Sequence, residues 1–232
     1  MGTARPVPPR NTAALLGRQP WSLVEEQLVR AGSDPTTAMP RMKRYAEILL
    51  EWNRGFSNLI SASDERRLVE RHILESLAPA AWIREMGPKT IMDFGSGGGF
   101  PAIPLAIAGI GERWTLVESR RNKTLFLRKV FEEIGLSGLN VELGRLELLL
   151  GEESRLGRFD AFTSRATIRL APTLALAANW VVGGGSAYLW KGSRREQEMA
   201  DDRRWERSWD PADAFDVGNG QTSVVRFVRK TV

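Results

Sequence analysis

The stretch Asp93-Phe94-Gly95-Ser96-Gly97-Gly98-Gly99-Phe100-Pro101 decides the fold of this 232-residue chain. It continues a short apolar run from Thr90, which is typical of a buried strand. Glycines let the backbone turn sharply and let a ligand approach without Cβ clashes. Pro101 suits the first turn of a helix, because its missing N–H would be unpaired there. The stretch therefore predicts a strand, a ligand-binding loop and a helix.

The rest of the chain repeats this alternation of strands and helices. We predict further strands over 114–118, 140–143, 159–163, 186–191 and 222–228. Helical spacing of apolar residues occurs over 101–109, 120–134, 169–180 and 193–204. Strands that alternate with helices predict an α/β fold with a doubly wound, mainly parallel sheet and helices on both faces.

The first part of the chain has a different pattern. We interpret residues 1–38 as a loosely ordered extension, in which 21–29 shows helical spacing. Residues 39–88 are predicted to form an N-terminal helical segment that packs on the catalytic domain, which spans 89–232. Its first helix begins near Pro40, and a second one begins at Asp64, a good N-cap.

Composition excludes several classes of site. The chain has no cysteine and a single histidine, so disulfides, thiolate nucleophiles and Cys-ligated metals are excluded, and we expect no metal site. No secretory signal or 18-residue apolar run is present, which predicts a cytoplasmic protein without a membrane segment. A net charge of +5 is compatible with a polyanionic partner without proving one. A monomer is expected.

Glu118 ends the second predicted strand, nineteen residues after Gly99, where a carboxylate can accept both hydroxyls of a ribose. Two cofactor classes use this arrangement. Gly97-x-Gly99-x-x-Ala102 fits a dinucleotide fingerprint, but with Pro101 in the tight helix–strand contact. The register Asp93, Gly95, Gly97, Gly99 instead resembles the first motif of class I S-adenosylmethionine (SAM) methyltransferases. SAM is the favoured cofactor, and NAD and a plain surface turn are the alternatives.

Six segments together carry a more specific resemblance. They are Tyr45-x6-Trp52-Asn53 with Asn58-Leu59, then 70–77, 93–101, 144–147, 163–166 and 189–192. In this order and spacing, the chain between about 40 and 195 resembles the RsmG (glucose-inhibited division protein B) family of 16S rRNA guanine-N7 methyltransferases. Three positions, Glu75, Ala102 and Leu146, depart from the usual pattern of that family.

The resemblance implies a SAM-dependent methyltransferase whose partner is 16S rRNA or the small ribosomal subunit. Carried over by position, the family's cofactor contacts are Gly95, Phe100, Leu146, Glu147 and Arg165. Asp93, Gly97, Gly99 and Glu118 complete the predicted cofactor site from the loop motif and spacing.

The residue types also limit the methyl-transfer chemistry. Pyrimidine C5 methylation usually needs a cysteine, and exocyclic amines commonly need an Asn/Asp-Pro-Pro-aromatic motif where this chain has 163–166. Guanine N7 holds no proton, so direct in-line attack needs no general base, and positioning and electrostatics suffice. Arg145, Arg165 and Lys191 are the predicted catalytic cluster, because Arg pairs with guanine edges or phosphate.

Other polar residues support two interpretations each. His72 and Ser76 are either a packing pair or the border of the base pocket. Arg120, Arg121 and Lys123 either contact phosphate or cofactor, or form a solvated face. The mixed charges of 194–207 favour a solvated helix over an RNA-binding surface.

Three competing functions stay open on sequence grounds. They are a SAM-dependent methyltransferase for another RNA, a protein or a small molecule, an NAD-dependent oxidoreductase, and a non-catalytic RNA-binding protein. Retention of Asp93, the loop glycines and Glu118 argues against the last.

Overall fold

The computed structural model describes residues 12–146, 157–165, 167–218 and 220–231. The first part of the described chain is helical. Its elements are α1 (Thr12–Leu16), α2 (Trp21–Arg30), α3 (Pro35–Gly55), a 3-10 turn (Asp64–Arg67), a π-helical segment (Val69–Leu74), α4 (Glu75–Leu77) and α5 (Ala80–Glu85). Asp34 caps α3 by accepting a hydrogen bond from the Thr36 amide at 2.9 Å.

Seven strands form one sheet in the described part of the chain. They are β1 (Thr90–Phe94), β2 (Arg113–Glu118), β3 (Leu139–Leu143), β4 (Phe159–Arg165), β5 (Val181–Lys191), β6 (Trp209–Asp216) and β7 (Ser223–Arg229). Their order is β3-β2-β1-β4-β5-β7-β6. The first five strands pair in parallel, and β7 is antiparallel to both β5 and β6. The predicted doubly wound α/β fold is confirmed.

Helices alternate with these strands. They are α6 (Ala102–Ile107), α7 (Arg121–Ile134), α8 (Leu170–Ala177) and α9 (Arg195–Asp201), followed by a 3-10 turn (Arg203–Arg207). Gly135 ends α7 with φ +61°, a left-handed conformation that glycine adopts without a Cβ penalty.

The sheet lies between two hydrophobic cores because neighbouring residues of a strand face opposite sides. In β1 and β2, Ile91 and Leu116 belong to one core, and Met92 and Val117 belong to the other. The first core contains the N-terminal helices, α6 and α7. The second contains α8 and Trp205.

Residues 12–38 are not the loosely ordered extension that the sequence suggested. Val24 and Leu28 of α2 are fully buried in the same core as β1 and α6. The helical spacing over 21–29 was the correct signal. The helical pattern is short and lies between a proline and a glycine, so it did not indicate that α2 packs into the first core. The domain boundaries at 38/39 and 88/89 stay predictions.

Two further elements differ from the sequence prediction. The helix predicted from Asp64 is a 3-10 turn followed by a π-helical segment. The strand β6 was not predicted, because its side chains are mostly exposed, three of its eight residues are Asp and Pro211 interrupts the pattern. An edge strand tolerates both features, since its outer N–H groups need no strand partner.

Within the described residues, no helix combines the length and apolarity needed to cross a bilayer.

Candidate cofactor and base site

The loop after β1 is shaped by two glycines that the protein itself requires. Gly95 has φ +70°, and a Cβ there would lie 2.3 Å from the Thr167 methyl carbon. Gly99 has φ +91°, and its Cβ would lie 2.3 Å from Ile103. The Tyr45 hydroxyl of α3 also donates to the Gly98 carbonyl at 2.5 Å. The loop is thus fixed between the N-terminal helices and the segment that follows β4.

Gly97 differs from these two glycines because a side chain there would meet little of the protein. Its built Cβ lies 3.7 Å from the nearest described atom, and its φ of +54° is one that Asn and Asp also adopt. Its amide donates to Glu118 Oε2 at 2.9 Å, and the Arg120 amide donates to Oε1 at 2.8 Å. The Ser119 hydroxyl also donates to Oε1 at 3.4 Å, so Oε2 is the oxygen that retains a lone pair for a ligand.

Asp93 lies fully buried at the end of β1, below the loop. Its Oδ1 accepts a hydrogen bond from the Thr163 hydroxyl at 2.7 Å, whereas its Oδ2 has no partner among the described residues. Burial raises the pKa of Asp93 to about 7. A buried carboxyl oxygen without a partner is costly, and a cationic or donor group of a ligand would satisfy it.

Phe100 connects the loop to the π-helical segment. Its ring stacks on His72, with centroids 4.8 Å apart, and tilts against Tyr45. Burial and then the charge of Arg165 lower the pKa of His72 to about 4, so the imidazole is neutral at pH 7. Its Nε2 lies 3.7 Å from Asp64, which is longer than a hydrogen bond. The Ser76 hydroxyl donates to the His72 carbonyl at 2.6 Å.

Arg165 ends β4 and ties the sheet to the N-terminal helices. Its guanidinium contacts Glu75 Oε2 at 2.6 Å and the Arg71 carbonyl at 2.7 Å. It also reaches the His72 carbonyl at 3.3 Å. The side chains of Arg165 and Glu75 are 12% and 7% exposed. Burial lowers the pKa of Arg165, while the carboxylate of Glu75 opposes that shift.

A cavity of about 790 Å³ opens beside Arg165 at the carboxyl ends of β4 and β5. Thr167, whose methyl group lies next to Gly95, also lines this cavity. Lys191 Nζ lies on its wall and donates to Glu198 Oε2 at 2.8 Å and to the Ile168 carbonyl at 3.1 Å. The loop and the cavity are therefore adjacent, as methyl transfer from a cofactor to a second substrate requires.

Only some of the predicted catalytic and cofactor residues lie at the cavity. Arg165 and Lys191 line the same cavity, whereas Arg145 is exposed and does not line it. The side chain of Leu146, a predicted cofactor contact, is fully buried in the second core. Glu147 lies outside the described residues.

Sequence reasoning missed several polar residues that line the cavity, among them Thr167, Arg169 and Glu198. Glu198 belongs to the stretch 194–207, whose mixed positive and negative charges predict a solvated helix. Helical spacing did not reveal that α9 turns one carboxylate back towards Lys191. In the described parts of the chain, no group of three or more His, Asp or Glu residues could hold a metal ion.

The sheet order, the acid-and-glycine loop and the carboxylate after β2 define a class I SAM-dependent methyltransferase fold. The same fold occurs in the putative methyltransferase yhhF from Escherichia coli, with a TM-score of 0.52 at 15% identity over 65% of this chain and 81% of that chain.

Sequence similarity gives the particular family. The profile of the GidB family, rRNA small subunit methyltransferase G, matches residues 38–211, and the chain belongs to this family. The ribosomal RNA small subunit methyltransferase G of Stenotrophomonas maltophilia (strain K279a) is 35% identical over 77% of this chain and 80% of its own length. That of Neisseria gonorrhoeae (strain NCCP11945) is 35% identical over 70% and 75%. The resemblance seen in the six segments is confirmed, and the protein is a methyltransferase rather than an oxidoreductase.

Proposed function

We propose that the protein transfers a methyl group from SAM to N7 of a guanine in 16S rRNA. The observation that carries the proposal is the adjacency of the glycine loop to the cavity that Arg165 and Lys191 line. Membership of an rRNA methyltransferase family supports the substrate class. The N7 position rests on the resemblance and on the chemistry of the site.

The loop residues fit SAM. The space above Gly97 is not needed by the protein's own packing, and the unpartnered Oδ2 of Asp93 favours a donor or cationic group. Oε2 of Glu118 retains a lone pair for a ribose hydroxyl. We assign these residues, with Gly95, Gly99 and Phe100, to cofactor binding. Arg165 contacts Glu75 and two carbonyls of the N-terminal helices, so its proposed role is to hold the cofactor side and the base side together.

When bound, SAM supplies an electrophilic methyl, which forms a bond to N7 as the S–CH3 electron pair returns to sulfur. The residues of this chain position the base and set the local charge. Arg165 and Lys191 place positive charge at the cavity wall, where guanine O6 and the RNA phosphates are acceptors. The neutral His72 and the ion-paired Glu75 and Glu198 do not need to accept a proton, because N7 has none to lose. Arg145 is exposed, and its proposed role is to contact an RNA phosphate.

Mass spectrometry of rRNA nucleosides tests the proposal. Small ribosomal subunits and deproteinised 16S rRNA from a strain lacking this methyltransferase are incubated with the purified protein and isotopically labelled SAM. We expect label in 7-methylguanosine from one of the two substrates. Gly97→Asp serves as the inactive control, because a charged side chain would occupy the cofactor's approach.

Label in another nucleoside would contradict the N7 assignment and leave an rRNA methyltransferase of different specificity. The absence of label from both RNA substrates, with SAM still bound in calorimetry, would favour a different methyl acceptor.

A further inference from the structure

A pocket that methylates guanine N7 has to recognise the base from its other side. The N7 and O6 edge must face the methyl donor, so the Watson–Crick edge with its N1–H and N2 amino donors faces the protein. Donors are read by acceptors, and a carboxylate is the side chain that offers only acceptors. The cavity should therefore contain a carboxylate that the protein's own contacts do not use completely.

Among the described residues, two carboxylates line the cavity, and their hydrogen bonds differ. Glu75 is 7% exposed and forms an ion pair with the Arg165 guanidinium. Glu198 is 28% exposed, and both of its hydrogen bonds fall on Oε2, from Lys191 Nζ at 2.8 Å and from the Leu170 amide at 3.0 Å. Its Oε1 accepts no hydrogen bond from any described residue.

The two bonds also fix the carboxylate in place. Lys191 belongs to β5 and Leu170 begins α8, so one oxygen of Glu198 is held by two rigid elements. Burial raises the pKa of Glu198, but the hydrogen bond from Lys191 helps to lower it, and the resulting pKa lies below its ordinary value. The group is therefore an ionised, pre-oriented acceptor at the cavity wall.

We propose that Glu198 is the residue that selects guanine, with Oε1 accepting the N1–H and N2 amino groups of the target base. This inference rests on the proposed N7 methylation. Adenine would place the N1 lone pair against the same carboxylate, so the arrangement rejects it. Hypoxanthine keeps N7, O6 and N1–H but lacks the amino group.

Substrates that differ by this one amino group test the inference. Mass spectrometry of the wild-type product first locates the methylated nucleotide. Then 16S rRNA is assembled by ligation with guanosine or inosine at that position, and both the free RNA and reconstituted small subunits are assayed. We expect wild-type kcat/KM to fall about tenfold to hundredfold with inosine, because a charge-assisted hydrogen bond is lost.

In Glu198→Gln this preference for guanosine should shrink to within about threefold, because the amide oxygen stays with the Lys191 and Leu170 donors and the NH2 group then faces the donors of the base. Binding of SAM, measured by calorimetry, should stay unchanged within about twofold. Glu196→Gln is the matched control, since Glu196 lies on the same helix but is exposed and outside the cavity. It should keep the wild-type preference and rate.

Two results would overturn the inference. One is a wild-type enzyme that methylates inosine RNA as well as guanosine RNA, which needs no variant to fold. The other is a Glu198→Gln enzyme that is slower but keeps the wild-type guanosine preference, as a purely structural role would predict. Formation of a product other than 7-methylguanosine from the guanosine RNA would instead remove the proposed function, and the inference with it.

Discussion

Replacing Arg165 by lysine or alanine measures how strongly the sheet and the N-terminal helices are joined beneath the cavity. The guanidinium makes one ion pair, to Glu75 at 2.6 Å, and contacts two backbone carbonyls at 2.7 and 3.3 Å. A lysine ammonium keeps the charge but loses the planar fork that reaches several acceptors together. Alanine removes all of these contacts.

The structure gives the expected size of each loss. In Arg165→Ala, the buried Glu75 loses its contact with the Arg165 guanidinium, which costs about 3–5 kcal/mol of unfolding free energy. In Arg165→Lys, the ion pair survives and two hydrogen bonds are lost, at about 1 kcal/mol each, so the loss is about 2 kcal/mol. For a chain of this length, that loss corresponds to a fall in Tm of about 4–8 °C.

Denaturant unfolding of the three proteins gives these energies, and single-turnover methylation is measured below every transition temperature. We expect both variants to lose methylation, with alanine the worse, because Arg165 also lines the cavity. If Arg165→Lys keeps near-normal methylation and loses only stability, the residue holds the strand end and has no direct role at the site. If neither variant is less stable than the wild type, the ion pair does not carry the energy assigned to it.

Three further predictions concern the loop and the N-terminal helices. Glu118→Gln should weaken SAM binding by about 1.5–3 kcal/mol in calorimetry and slightly lower Tm, since one loop amide loses its acceptor; unchanged affinity would place Glu118 outside the site. Because the pKa of Asp93 is about 7 in the fold and near 3.8 in the unfolded chain, the wild type should lose up to about 4 kcal/mol of stability as pH rises from 4 to 7. Asp93→Asn should abolish that slope in pH-dependent urea unfolding, and an identical slope in both proteins would refute the assignment. Leu28→Ala should cost about 2–5 kcal/mol in the same assay, whereas a change below about 0.5 kcal/mol would mean that α2 is not part of the core. The exposed Val29→Ala is its control.

The strands and the cofactor loop could be predicted from the sequence because their signals are local. The run from Thr90 to Asp93, the glycines and the acid at 118 follow one another within a single βαβ unit, and the structure places them as expected. The family could also be recognised, because its segments keep their order and spacing along the chain.

The N-terminal helices and β6 show where local signals end. The pattern of α2 is short, and only its contact with the rest of the first core explains why Leu28 is buried. The exposed strand β6 has no alternation of buried and exposed residues, and its pairing with β7 decides its structure.

The polar contacts at the site depended on tertiary structure in the same way. The position of Arg165 after a predicted strand indicates a site residue, but its partner Glu75 lies ninety residues earlier. The mixed charges of 194–207 place Glu198 on a solvated helix, whereas the return of α9 to the end of β5 brings it to Lys191. Periodicity reports which face of an element is apolar, because burial follows the helix or strand repeat. It does not report which distant charges meet, because that depends on how the chain folds back on itself.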